Sequence, residues 1–157
     1  MKKVISLFAT MLLIVACDPL RFYHIGELYV KNYTDQTLTI TFPIYKNSWF
    51  DMKIVPGDSI CIGHLRFAYK GKIMPNFDTL FQEIMISSSE DKLLNVLSEQ
   101  GELLKKWSYT DKDLPDKQFF KESSWRYYER PGGYDPAGIT AIWVFDIKPE
   151  DLIEKDD

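Results

Sequence analysis

The residues of this chain with chemistry beyond hydrogen bonding are two thiols, two imidazoles and a scatter of carboxylates. Cys17 and Cys61 are its cysteines, and His24 and His64 its histidines. A thiolate is the side chain here nucleophilic enough to form a thioether at moderate pH, and two thiols in an exported protein can also pair as a disulfide. Neither Cys stands at a recognisable spacing from a His, as a structural zinc site would require. A catalytic triad would need partners for His24 or His64 that spacing does not identify, so both read as surface or hydrogen-bonded histidines. Glu90-Asp91, Asp111/Asp113/Asp116 and Asp156-Asp157 lack the alternating acids and distal Glu of a calcium loop and read as solvated charge. With no glycine-rich phosphate loop either, the sequence predicts no catalytic residue, no metal and no cofactor, and a protein that is not an enzyme.

Cys17 has the more informative context. Met1-Lys2-Lys3 is a cationic start to an uncharged run from Val4 to Ala16. A bilayer span needs about 20 apolar residues, so this run suits the core of an export signal. Its end, Ile14-Val15-Ala16-Cys17, resembles the lipobox of bacterial lipoproteins. The resemblance implies cleavage between Ala16 and Cys17, a diacylglyceryl group on the Cys17 thiol, and a further fatty acyl chain such as palmitate on the new amino group. An ordinary signal peptide with a chance Cys, or an internal membrane helix, is the alternative. Each buried methylene contributes ~0.8 kcal/mol, so two or three chains make a stable membrane anchor. Acylation of Cys17 leaves Cys61, within Ile60-Cys61-Ile62, to read as a buried small hydrophobe.

Composition narrows the remainder. Of 157 residues, 45% are apolar and 15% aromatic, and 19 basic against 23 acidic side chains give a net charge of −4. That is too apolar and too weakly charged for a disordered chain. An acidic balance without a Lys/Arg cluster also argues against nucleic acid, whose binding is dominated by phosphate neutralisation. Removal of residues 1–16, with Lys2 and Lys3, leaves 141 residues with 17 basic against 23 acidic side chains, a charge of −6. Acyl chains, and not an acidic folded surface, are then expected to hold the protein to its membrane. Asp18 resembles the inner-membrane retention signal of enterobacteria, a rule that is not general across phyla.

The body alternates with period two. Residues 17–26 show no clear period and read as a lipidated tether, with the folded domain over 27–157. Leu28 and Val30, then Leu38, Ile40 and Phe42, mark two strands that the short Thr34-Asp35-Gln36 link should join as a hairpin. A second hairpin is predicted from Met52–Val55 to Ser59–Ile62 through Pro56-Gly57-Asp58, a type II turn signal. Further strands are expected at 66–70 and at 80–87, with Ile84 and Ile86 on one face. Residues 92–107 fit either a helix or a hairpin about Glu99-Gln100-Gly101-Glu102, and the neighbouring strands favour the hairpin. Phe119-Phe120 and Trp125-Arg126-Tyr127-Tyr128 resume strand composition. The strongest late strand is 139–147, with Trp143, Phe145 and Ile147 inward and neighbours on both sides. Pro149-Glu150-Asp151-Leu152-Ile153 should close the chain with a short helical turn. Eight or nine short strands argue an all-β fold, a single antiparallel β-sandwich.

An acylated Cys, the Asn-Tyr-Thr-Asp-Gln-Thr-Leu segment, the Pro-Gly turn and an aromatic closing strand with Pro-Glu-Asp-Leu together resemble small β-rich lipoproteins of the Bacteroidota envelope, a group without assigned activity. The resemblance implies a lipid-anchored envelope protein, placed at the outer membrane. Asp58-Ser59-Ile60 and Asp78-Thr79-Leu80 resemble the short O-glycosylation signal of that phylum, at Ser59 and Thr79. Asn32-Tyr33-Thr34 matches the N-glycosylation pattern but reads as a strand end and turn. Aromatic density is the one compositional feature pointing to a ligand. Trp49, Phe50, Trp107, Trp125, Tyr127, Tyr128 and Tyr134 include several beside loop residues, and aromatic faces stack on sugars or partner proteins. A sandwich core absorbs most of them, which leaves Trp49, Trp125, Tyr127 and Tyr134 as the expected binding surface. The expectation is an envelope binding or interaction module for a protein or a glycan. A structural subunit of an envelope complex and an enzyme with an unrecognised site are the alternatives.

Overall fold

The computed structural model describes residues 23–44, 48–68, 74–83, 93–132 and 138–152. These form eight strands in two four-stranded sheets, one short helix and three single 3-10 turns, an all-β sandwich as expected. In chain order the elements are β1 (Tyr23–Asn32), β2 (Leu38–Ile44), β3 (Ser48–Ile54), β4 (Ser59–Ala68), α1 (Phe77–Phe81), β5 (Leu93–Leu97), β6 (Leu103–Ser108), β7 (Arg126–Pro131) and β8 (Ile139–Ile147). The first sheet has the order β4-β1-β8-β7 and the second β3-β2-β5-β6. Within the first sheet β1 and β8 run parallel, from Ile25 opposite Thr140 to Asn32 opposite Ile147. Alternation alone predicts no strand direction, so this mixed sheet departs from the antiparallel expectation.

β1 starts at Tyr23, inside the segment 17–26 expected as a tether, so residues 23–26 belong to the fold. Its inward positions are His24, Gly26, Leu28, Val30 and Asn32, all buried. The period was hidden because three of the five are not apolar. Gly26 sits in close packing: a Cβ there would lie 3.0 Å from Leu80 Cδ2 and 3.1 Å from Phe67 Cε2, so these side chains would have to shift. His24 Nδ1 accepts a hydrogen bond from the Ile139 amide at 3.2 Å, tying β1 to the start of β8.

Neither of the first two predicted hairpins forms. β1 pairs with β4 and β8, whereas β2 pairs with β3 and β5, so the link after Asn32 carries the chain from one sheet to the other. The Pro56-Gly57 turn does form, with Gly57 at φ 80° and the Asp58 amide donating to Val55 O at 3.2 Å. Its flanking strands nevertheless part, β3 into the second sheet and β4 into the first. Asn32 ties the two corners together. Its buried amide donates to Gln36 O at 2.8 Å and Ile54 O at 2.9 Å, and its Oδ1 accepts from the amide and hydroxyl of Thr34. Its backbone exchanges bonds with Asp58 O and the Gly57 amide. One side chain thus satisfies both sheet-changing corners, and an interior that must pair its polar groups makes that arrangement unique.

The predicted β5–β6 hairpin is present. Gly101 takes φ 86°, and Ser98 Oγ accepts the Glu102 amide at 3.1 Å. The expected strands at 59–62 and 66–70 are one ten-residue strand, β4, whose register slips opposite Leu28/Tyr29. Residues 77–81 are helical and not extended, because Asn76 caps the Thr79 amide at 2.9 Å and Phe77, Leu80 and Phe81 turn one face inward. Ile84 and Ile86 lie outside the described residues. Phe119 and Phe120 belong to no strand; they are buried in an irregular crossing from β6 to β7. The turn at Pro149–Asp151 forms as expected, with Asp151 Oδ2 accepting the Lys148 amide.

Aromatic rings fill one part of the core. Phe119 lies 5.0 Å from Trp125 and 5.1 Å from Phe145, and Trp107 packs edge-on against Phe145 at 5.1 Å. Trp107, Trp125 and Trp143 donate their indole N–H groups to Lys117 O, Phe119 O and Glu122 Oε1. Trp125 is therefore a buried, hydrogen-bonded core residue, which corrects its assignment to the surface.

Candidate functional site

The alternation that buries Leu28 and Val30 turns Glu27, Tyr29 and Lys31 outward from β1, with Tyr33 just beyond. On β7 the outward set is Arg126, Tyr128 and Arg130. β8 runs between them and presents Ile142, Val144 and Asp146. Register sets the rows: Cys61, Tyr29, Val144 and Arg126 lie side by side, and so do His64, Glu27, Ile142 and Tyr128.

Among the described residues no second layer covers this outer face, yet Ile142 and Val144 are 3% and 5% exposed. Tyr29, Tyr33, Lys31, Ser59, Arg126, Tyr128 and Arg130 surround them and form an open depression of about 440 Å³. Its walls are held in place by charge. Arg126 grips Asp146 through two hydrogen bonds of 2.6 and 2.8 Å. Arg130 crosses β8 to Glu27 at 3.3 Å, and the Tyr29 hydroxyl donates to the same carboxylate at 3.2 Å. Lys31 Nζ stands 4.7 Å from the centre of the Tyr33 ring, a cation–π contact. Hydrogen bonding to Asp146 raises the Arg126 guanidinium further above its ordinary range. Burial, then the Glu27 carboxylate, pushes the Tyr29 phenol up to about 12, so its hydroxyl stays a donor. A second depression of about 400 Å³, lined by Ile25, Arg130, Pro131, Gly132 and Thr140, continues the first past Arg130.

Cys61 also faces outward and is exposed, which corrects the buried reading; its neighbours Ile60 and Ile62 take the inward positions instead. Together with His64, in register with Glu27, it invites comparison with a cysteine nucleophile. The acidity is wrong for that chemistry. Partial burial of the thiol, joined by the Glu27 charge, pushes it above its ordinary value, whereas an activated cysteine is shifted down.

The structure does not gather the predicted aromatic surface. Trp125 is in the core. Tyr127 is half exposed but lies on the opposite face of β7, its ring 4.9 Å from Trp143 and its hydroxyl on Glu129. Trp49 sits on β3 opposite Pro43, with its side chain outside the described residues, and Tyr134 lies outside them altogether, as do Ala16 and Cys17. Ser59 and Thr79 are both exposed, Ser59 at the rim of the depression. Among the described residues no group of three or more His, Cys, Asp or Glu is placed to hold a metal ion. Sequence reasoning missed Tyr29, Lys31, Tyr33, Arg126 and Arg130. Their signal was the outward alternation of tyrosine with charge, Glu27-Tyr29-Lys31-Tyr33 and Arg126-Tyr128-Arg130, on two strands that only the fold brings within one strand of each other.

Comparison with known proteins adds no relative: no family model, no curated protein and no solved structure matches the chain. The fold and site define the class, a small all-β sandwich with a tyrosine- and charge-lined depression on one outer sheet face.

Proposed function

We propose that the chain is a lipid-tethered, non-catalytic binding module of the bacterial envelope, anchored through acyl chains on Cys17 and binding through the outer face of the first sheet. The observation that carries this reading is the depression between Tyr29 and Tyr128. Its two arginines are held by ion pairs to Asp146 and Glu27, and the Tyr29 hydroxyl by a hydrogen bond to Glu27, before any ligand arrives, which reduces the ordering cost of binding. The lipobox at Ile14-Val15-Ala16-Cys17 supports the tether. A structural subunit would call for a broad apolar face; among the described residues the exposed aliphatic and Met side chains, Val55, Met74, Leu103 and Leu114, belong to separate segments.

A photo-crosslinking residue placed at Tyr128 of the full chain, in its own envelope, tests the module. Discrete adducts of protein or carbohydrate are expected at that position, and none from the same probe at Leu103 on β6. Matching adduct patterns at the two positions would remove the outer face from the function.

A further inference from the structure

We infer that the ligand of this face is a neutral, extended oligosaccharide lying along the strands, an assignment that rests on the binding-module reading and gives it a ligand class. The first argument is the charge pairing. Lys31, Arg66, Arg126, Arg130 and His64 share the face with Glu27 and Asp146, and the two arginines that line the depression, Arg126 and Arg130, already hold a carboxylate of the protein. An anionic ligand would have to compete with Asp146 and Glu27 for those guanidinium groups. A polyhydroxylated ligand needs the opposite, fixed donors and fixed acceptors side by side, because each hydroxyl both gives and accepts. Arg126 with Asp146, and Arg130 with Glu27 and the Tyr29 hydroxyl, are such sets.

The second argument is the apolar component. Ile142 and Val144 are already covered, so a ligand gains little by burying the floor. What remains is the rings of Tyr29, Tyr33 and Tyr128 on the walls. Flat aromatic surface beside hydrogen-bonding edges matches a pyranose, which carries C–H groups on its faces and hydroxyls on its rim. A protein partner would instead be expected to anchor an apolar side chain in a desolvated pocket.

The third argument is shape. The depression opens past Arg130 into the second one beside Gly132. From Lys31 to Ile25 the strand covers ~20 Å at ~3.3 Å per residue, room for several sugar units in a row.

Affinity electrophoresis of the full chain in detergent, through native gels containing starch, laminarin, hydroxyethylcellulose or polygalacturonate, tests the assignment. Retardation by at least one of the three neutral polymers is expected. The apparent affinity should fall about tenfold in Tyr128→Leu, which keeps an apolar side chain on the strand but removes the ring, and in Tyr29→Ala. Tyr127→Ala, altered on the other face of β7, should migrate as the parent does. No retardation in any neutral gel, retardation by polygalacturonate alone, or equal retardation of the Tyr128→Leu and Tyr29→Ala variants would each overturn the assignment. Protein adducts from the crosslinker at position 128, without glycan retention, would overturn the oligosaccharide and leave the module standing. Loss of both would remove the module as well.

Discussion

Arg130, on the edge strand β7, passes over β8 to reach Glu27 on β1, 3.3 Å away, and so bridges three strands of the first sheet across its outer surface. Exposed ion pairs of this kind contribute about 0–1 kcal/mol, which separates the pair's role in shaping the depression from any role in holding the fold. Glu27→Gln should change the unfolding free energy measured in urea by less than about 1 kcal/mol. The same variant removes a charge that raises the Cys61 thiol, so alkylation of Cys61 at a fixed pH near 8 should be faster than in the parent. An unchanged alkylation rate would mean that Glu27 does not act on the thiol.

Asn32 is the opposite case, a buried polar residue on which two corners depend. Asn32→Ala removes two side-chain donor bonds and the acceptor of Thr34, leaving Gln36 O and Ile54 O to find other partners. A loss of about 2–4 kcal/mol in urea unfolding is expected, because each stranded buried group costs about 1–3 kcal/mol. A loss under about 0.5 kcal/mol, the range of ordinary surface substitutions, would show that the corners are held some other way.

Alkaline unfolding should report Tyr29. Its phenol is raised in the folded state to about 12, whereas in the unfolded chain it ionises near 10. Above pH 10 the unfolded state loses the proton first, so the stability due to this group is intact below about pH 10 and disappears as pH rises through about 12. Tyr127, raised to about 12 by burial and its bond to Glu129, acts in the same window. Tyr29→Phe should therefore flatten part of the stability decline between pH 10 and 12, measured by denaturant titration at stepped pH. A decline as steep as that of the parent would place the titrating group elsewhere.

The proposed anchor is tested at Cys17. Cys17→Ala should accumulate as an uncleaved precursor that incorporates no labelled palmitate, followed by gel mobility and label. Normal labelling of the variant would defeat the assignment of lipid to this residue.

Strand positions were legible wherever the inward residues were apolar. Trp143, Phe145 and Ile147 on β8, and the β5–β6 turn at Gly101, follow from alternation and a left-handed glycine, both properties of a few neighbouring residues. The start of β1 was not legible, because His24 and Gly26 occupy inward positions that an apolar count passes over. The helix at Phe77–Phe81 was also missed: five residues are too few to display a period of 3.6, and its cap at Asn76 is a single side chain.

What the sequence determined by itself was local: the all-β class, most strand positions and the Pro56-Gly57 turn, each set by adjacent residue types. Which strands pair, and therefore which side chains meet, was decided only by tertiary structure. The turn at Gly57 is compatible with a hairpin or a corner, and the corner that forms is bonded to Asn32, 25 positions earlier, whose buried amide it satisfies. The site follows the same rule. Tyr29 and Tyr128 stand 99 positions apart and face a common depression because β8 runs parallel to one of their strands and antiparallel to the other. Side-chain alternation is a property of one strand, but a binding surface is a property of a register, and register is set by the packing of the whole core.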